Sequence, residues 1–275
     1  FGGLDDIKNK IVKCVGNSDE RFNEDGLRIL RALRFASVLN FYIDEYTSCS
    51  IYRNKNLLNN ISKERINIEL NKLIMGRNFQ NILSEYRDVI EVFLPEIQYL
   101  TEEKFQHRLY AMKELNSLVL RLTVLLYEID SPDKILMNLK YDNKTVKTVK
   151  LLAENIDEKI YPDRVNIKRW LNKINHANLN YLIKIKKALF DYEYEELAKS
   201  EIIMKEIIET NQCYSLKTLA INGQDLIDSG MPKGRNIGIV LNDVLNKVIE
   251  GKLENKKDIL FNYIYDGRKE IETLN

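Results

Sequence analysis

Only four prolines interrupt 275 residues, and between them apolar side chains return every three or four positions, a pattern that restricts the chain to helices packed on helices. Proline removes a backbone donor and breaks helix interiors, so its scarcity permits long helices. Helical spacing runs through Leu27 to Leu39, Ile66 to Ile74, Leu109 to Ile129 and Ile237 to Ile249. Pro95, Pro132, Pro162 and Pro232 fall between these stretches and are expected in loops or first helical turns. Asp142 or Asn143 is expected to cap a helix containing Val146 to Leu152. Trp170, the only tryptophan, is expected to pack between helices. The fold class is therefore all-α, without internal repeats, and long enough for one large domain or two to three small ones with a real core.

Charge narrows the function classes. The 42 basic and 41 acidic residues leave a formal charge of +1, which excludes a strong general field for nucleic acid. Any RNA binding must use local patches, such as Lys140 with Lys144, Lys147 and Lys150, or Lys184 with Lys186 and Lys187. Each lysine cluster fits a solvated helix face as well. Cys14, Cys49 and Cys213 are too few and too far apart for a disulfide scaffold or a zinc site, which fits a reducing cytoplasm. No secretory signal is present, and no apolar run reaches the roughly 18 to 20 residues that span a bilayer, so a soluble cytoplasmic protein is expected.

The segment Arg21 to Ala36, RFNEDGLRILRALRFA, is the densest in candidate chemistry. On a continuous helix Asp25, Arg28, Arg31 and Arg34 form one polar stripe, with Leu27, Ile29, Leu30, Leu33 and Ala36 supplying an apolar surface. Aspartate offers only acceptors and arginine a planar fork of donors, so side by side they can pair with the edge of a nucleotide base. The alternative is a ladder of ion pairs, each contributing roughly 0.2 to 0.5 kcal/mol. Spacing alone favours the ladder.

The string itself resembles the R-F-x-E-D-x-x-R-x-x-R-A-x-R-F-A run of class II tRNA nucleotidyltransferases, the CCA-adding enzymes, and of the related bacterial poly(A) polymerases. The resemblance implies that Asp25 and Arg28 make base-pair-like contacts with CTP or ATP, that Glu24 holds the arginine, and that Arg31 and Arg34 bind nucleotide. Further matches follow in the family's order. Phe1-Gly2-Gly3 with Asp6 and Lys10 to Gly16 resemble the end of a catalytic head, with Lys13 where the family often has Arg. A lysine there keeps a phosphate contact but not a bidentate one. Ile61 to Ile66 with Glu69-Leu70 and Lys72-Leu73 are similar to the family's I-S-x-E-R-I helix, Ser62 being the expected N-cap and Arg65 with Glu69 an i, i+4 pair. Near the C-terminus, Ile221 to Asp228, Met231 to Gly238 and Glu250 to Asn255 resemble the tail. There Lys233 and Arg235 either hold an RNA phosphate or form a solvated turn.

Two departures limit this reading. Leu120 to Ile129 aligns with a body helix that in some relatives carries a His-Asp metal motif, but Tyr127 and Glu128 stand in its place and only His107 and His176 occur in the chain, so no second active site is expected. No Asp-x-Asp pair occurs to hold the Mg²⁺ ions of nucleotidyl transfer. With the opening at Phe1, this leads to the expectation of a fragment that lacks the catalytic head, binds no metal itself and transfers nothing alone.

By resemblance, residues 1–18 end the head, 19–82 form a neck that selects CTP or ATP, and 83–190 and 191–275 form body and tail, an elongated helical array that binds the acceptor and TΨC arms of tRNA. Such RNA is read largely by shape. The implied function is part of a CCA-adding enzyme. A poly(A) polymerase, a CC-only or A-only enzyme, or a stand-alone helical RNA-binding module are the alternatives, and oligomeric state stays open.

Overall fold

The computed structural model describes residues 2–272; Phe1, counted above among the matching residues, lies outside them. The chain divides into two compact units, Phe1–Asp157 and Glu158–Asn275. In the first, the helices are α1 (Gly3–Lys8), α2 (Ser18–Glu24), α3 (Leu27–Leu39), α4 (Glu45–Asn54), α5 (Lys63–Ile74), α6 (Phe79–Glu85), α7 (Arg87–Ile90), α8 (Glu102–Lys113), α9 (Leu118–Leu125), α10 (Pro132–Asn138) and α11 (Asn143–Ala153). Strands β1 (Ile11–Val12) and β2 (Tyr42–Ile43) pair in parallel, Ile11 opposite Tyr42 and Val12 opposite Ile43. This is the one sheet among the described residues, and the fold is all-α as expected.

The apolar spacing explains the packing. Helix α3 buries Ile29, Leu30, Leu33 and Ala36, and α5 buries Ile66, Leu70, Leu73 and Ile74; the two helices lie against each other. At the end of that contact the backbones come unusually close. Ser37 Oγ donates to Leu73 O at 2.7 Å, Asn78 N donates to Ser37 O at 2.9 Å, and Gly76 presses on Ser37. Asn40 then ends α3 in the left-handed region (φ 57°), its N–H returning to Ala36 O.

The apolar run Leu109 to Ile129 is split. Helix α8 stops at Lys113 and α9 starts after Ser117, whose backbone is extended at φ −125° and ψ 136°. The turn between them is held by buried Arg121, which donates from Nε to Leu115 O at 2.7 Å and from Nη1 to Ile74 O at 2.5 Å. Asp142 caps α11, accepting from Lys144 N and Thr145 N. The prolines behave as expected, Pro95 opening a short 3₁₀ turn and Pro132 opening α10.

The second unit contains α12 (Arg164–Leu189), α13 (Tyr194–Glu209), α14 (Gly223–Asp228), α15 (Arg235–Ile249) and α16 (Lys257–Glu272). Its first helix, α12, packs along α13, so the division at Asp157 falls inside the stretch 83–190. Asn175 breaks α12 at φ 66° and ψ 169°, and its side chain restarts the helix by accepting from Asn178 N at 3.1 Å. Trp170 is buried, with Lys173 Nζ 4.8 Å from its ring centre. The sequence Asn222-Gly223-Gln224-Asp225 forms a capping box at α14, reinforced by an ion pair between Lys257 and Asp225 at 2.5 Å. Among the described residues no helix is long and apolar enough to cross a membrane.

The two lysine clusters do not survive alike. Lys186 is buried, 3.2 Å from Glu193, and Lys187 pairs with Glu201 at 2.7 Å, so of that group only Lys184 is left as an exposed cation. The spacing of charges had hidden a burial. Lys140, Lys144 and Lys147 are exposed, whereas Lys150 pairs with Asp133 at 2.9 Å.

Candidate functional site

The expected continuous stripe is broken at its first residue. Helix α2 ends at Glu24, Asp25 is extended at φ −153° and ψ 104°, and α3 begins after Gly26. Asp25 therefore sits in a joint, and Arg28, Arg31 and Arg34 share α3. The joint is fixed by its surroundings: a Cβ on Gly26 would lie 2.9 Å from Leu57 Cβ and 3.0 Å from Leu57 O. Asp25 Oδ1 accepts from Leu27 N at 3.1 Å.

Helix α5 supplies the partners. Arg65 Nη2 donates to Asp25 Oδ2 at 2.8 Å, and Arg34 Nε lies 2.8 Å from Glu69 Oε2. The N–H of Arg34 is not aimed at that oxygen, so this is an ion pair without an aligned hydrogen bond, in a half-buried setting. The i, i+4 pair expected between Arg65 and Glu69 is thus replaced by two contacts from α5 to the Asp25 to Arg34 segment. Ser62 occupies the N-cap position of α5, but its side chain makes no capping bond.

Glu24 closes α2 rather than opening a helix, so the dipole works against it there. Two arginines compensate. Arg21 Nη1 contacts both Glu24 oxygens at 3.0 and 3.1 Å, and Arg28 Nη1 reaches Oε2 at 2.6 Å. Hydrogen bonds from Arg21 and then Arg28 hold the Glu24 carboxyl below the ordinary carboxylate range. For Asp25, burial works against ionisation, but the bonds from Arg65 and Leu27 N prevail and its carboxyl is also lowered. Both are anions at neutral pH. Asp25 uses two of roughly four acceptor sites, and no bond is recorded from Arg28 Nε or Nη2 among the described residues.

Beside the joint lies an open cleft of about 290 Å³, lined by Val12, Lys13, Cys14, Phe22, Arg28, Arg31, Ala32, Phe35 and Thr47. Arg28 and Arg31 meet there with Lys13, the residue standing where relatives often carry Arg. Asp25, Glu24 and Arg34 do not line it. The structure adds Phe22 and Phe35; their aromatic character was visible in the sequence, but only the fold turns them onto the same wall as the arginines. The cleft combines an apolar floor with cations, which suits a base or ribose against the floor and phosphate near the rim. It lacks a carboxylate lining, so its donors do not fit a divalent metal, and among the described residues no three His, Cys, Asp or Glu side chains gather as a metal site.

Tyr127 and Glu128, standing where some relatives have His-Asp, are engaged in structure. Glu128 pairs with Lys104 and with buried Arg108, both at 3.1 Å, and Tyr127 donates to Asp157 at 2.5 Å. Burial and the Asp157 carboxylate raise the Tyr127 phenol well above its ordinary value. Lys233 and Arg235 are exposed around Gly234, at the start of α15, with no ion pair recorded among the described residues.

A family model described as tRNA nucleotidyltransferase domain 2 matches residues 113–264, and one described as the probable RNA and SrmB-binding site of polymerase A matches residues 40–100. The CCA-adding enzyme of Streptococcus mutans is 31% identical, the match spanning 99% of this chain and 67% of the relative. That of Enterococcus faecalis is 27% identical over 99% of this chain and 66% of its own length. The chain thus spans about two thirds of the relatives it matches. Among solved structures, the Bacillus stearothermophilus CCA-adding enzyme in complex with CTP superposes with a TM-score of 0.78 at 22% identity, covering 100% of this chain and 70% of that one. The Thermotoga maritima CCA-adding enzyme complexed with tRNA gives 0.63 at 23% identity, covering 97% and 66%. These two share the fold. With a domain model covering more than half of its length and the RFNEDGLRILRALRFA run folded around a cationic cleft, the chain belongs to the tRNA nucleotidyltransferase family that includes the CCA-adding enzymes.

Proposed function

We propose that the chain is the nucleotide-selecting and tRNA-binding portion of an enzyme that adds CMP, CMP and AMP to the 3′ end of tRNA. Residues 19–82 act as the neck, 83–190 as the body and 191–275 as the tail, with Lys233 and Arg235 as phosphate contacts. The observation that carries the reading is the joint at Asp25: Arg65 and Leu27 N fix its carboxylate while leaving acceptor capacity, next to Arg28, whose guanidinium Glu24 clamps at the cleft. An acceptor and a planar donor held side by side match the edges of cytosine and adenine, both of which present an amino group beside a ring nitrogen. Arg31 and Lys13 supply charge for the phosphates. Arg34, paired with Glu69, acts on nucleotide through the placement of α3. Mg²⁺ supplies charge neutralisation at the transferred phosphate in such chemistry, and the cleft residues do not provide for it.

Titration of CTP, ATP, GTP and UTP against the chain tests this. CTP and ATP should bind more tightly than UTP and GTP, and Asp25→Ala or Arg28→Ala should erase that preference, a change of about 1 to 3 kcal/mol. Unaltered selectivity in both variants would reject the assignment. Incubated with tRNA lacking CCA, both nucleotides and Mg²⁺, the chain by itself should bind tRNA yet extend nothing; robust addition would show that the metal-binding carboxylates lie among its own residues.

A further inference from the structure

One wall of the arginine cleft is made by Val12, Lys13 and Cys14, and regular backbone pairing supports only its beginning. The pairing of β1 with β2 brings Tyr42 N to Lys10 O at 2.8 Å and Asp44 N to Val12 O at 3.0 Å, and β1 ends there. Lys13 is the next residue. The tie on its far side comes from a side chain: Thr47 Oγ1 accepts from Cys14 N at 3.1 Å. Thr47 is 2% exposed and itself lines the cleft.

The same small network reaches the other end of Lys13. Asp44 is the N-cap of α4, and its Oδ2 accepts from both Thr47 N and Thr47 Oγ1 at 3.1 Å. Its other oxygen, Oδ1, lies 3.8 Å from Lys13 Nζ, and 55% of the lysine side chain is exposed. That separation is an ion pair beyond hydrogen-bond reach, so the ammonium keeps its donors for a ligand. A helix cap needs only the bond from Thr47 N; the Cys14 bond and the Lys13 contact add nothing to it. A hydroxyl has one donor and two acceptor sites, and that of Thr47 gives its proton to Asp44 while taking the one from Cys14. Lysine carries its charge on a flexible four-carbon stem, so fixing both its backbone and its tip reduces the ordering left to do when a phosphate arrives. We propose that Thr47, together with Asp44, is a positioning residue that sets Lys13 for the triphosphate of the bound nucleotide. The inference rests on the reading of the cleft as a nucleotide site and gives Thr47 no part in choosing the base.

Calorimetric titration of CTP and ATP into the full chain tests it. Lys13→Ala should weaken both nucleotides roughly tenfold or more, the loss of a hydrogen bond to a charged group. Thr47→Val keeps the shape but not the hydroxyl and should weaken both roughly three- to tenfold, whereas Thr47→Ser should bind as the wild type does. Thr47→Ala removes the same hydroxyl with less bulk and should match Thr47→Val, with circular dichroism confirming a helical fold in each variant. The preference for CTP and ATP over UTP and GTP should persist throughout. A double-mutant cycle separates positioning from a direct contact: on the Lys13→Ala background, adding Thr47→Val should cause no further loss. Additive losses, a lost preference for CTP and ATP, or unchanged affinity in Lys13→Ala or in Thr47→Val overturns the positioning role while leaving the cleft a nucleotide site. A wild-type chain that binds neither CTP nor ATP overturns the nucleotide reading of the cleft, and the role of Thr47 with it.

Discussion

Gly76→Ala should destabilise the first unit by about 3 kcal/mol, the upper part of the range for forcing an extra carbon into a packed core. The added Cβ would lie 2.1 Å from Ser37 Oγ, 2.7 Å from Ser37 C and 2.9 Å from Ser37 Cβ. Trimming Ser37 to alanine would remove only the first of these clashes, because the other atoms belong to the backbone and the Cβ itself. The contact also carries the bonds from Ser37 Oγ to Leu73 O and from Asn78 N to Ser37 O, so α3 and α5 cannot separate without losing them. Urea unfolding should show a lower midpoint with an unchanged slope. Gly3→Ala is the matched control, since no atom lies within 4 Å of its new Cβ. Equal stability of the two variants would mean that the close approach of α3 and the Gly76 turn does not exist in solution.

Removal of the Arg121 side chain should be comparably costly. It is buried, it is recorded in no ion pair among the described residues, and burial pulls its guanidinium below the ordinary arginine value. Its charge is met by carbonyls instead: Leu115 O in the turn before α9, and Ile74 O at the C-terminal end of α5, where the helix dipole favours a cation. The plane of the group lies against Phe79, 4.3 Å from the ring centre. Arg121→Ala leaves two carbonyls without donors, each costing about 1 to 3 kcal/mol, and a void beside Phe79; a net loss of about 3 kcal/mol is expected. Arg121→Met restores most of the volume but none of the donors. A thermal melt in which Arg121→Met matches the wild type would show that packing, not hydrogen bonding, is what the arginine contributes. Hydrogen exchange should show the loss first at the end of α5, the helix that also holds Asp25 through Arg65 and flanks Arg34 through Glu69.

Local patterns made much of the fold readable. Apolar periodicity placed α3 at Leu27–Leu39 and predicted α5 and α15, and a cap at Asp142 or Asn143 was recognisable because a short acceptor before a helix has few other uses; the structure gives it to Asp142. The splitting of Leu109 to Ile129 was not readable, since both halves are apolar at helical spacing and the break is stabilised by Arg121 reaching carbonyls distant in sequence. The candidate site shows the same divide. Glu24, Asp25, Arg28, Arg31 and Arg34 were identifiable from one string, but the spacing of Asp25 and the three arginines implied a single stripe. Gly26, pressed against Leu57, turns that stripe into a joint.

By itself the sequence determined the helical class, the family resemblance and the identity of the acid and base groups near the cleft, because these follow from residue type and short-range order. The contact of Glu24 with Arg28 was already implied by the resemblance, but only the tertiary structure decided that Asp25 meets Arg65 and Glu69 meets Arg34. It also brought Phe22, Phe35 and Lys13 to the wall of one cleft with Arg28 and Arg31. Ion pairs of this kind depend on distances of a few ångströms between residues up to 40 positions apart, and no periodicity within a helix encodes them.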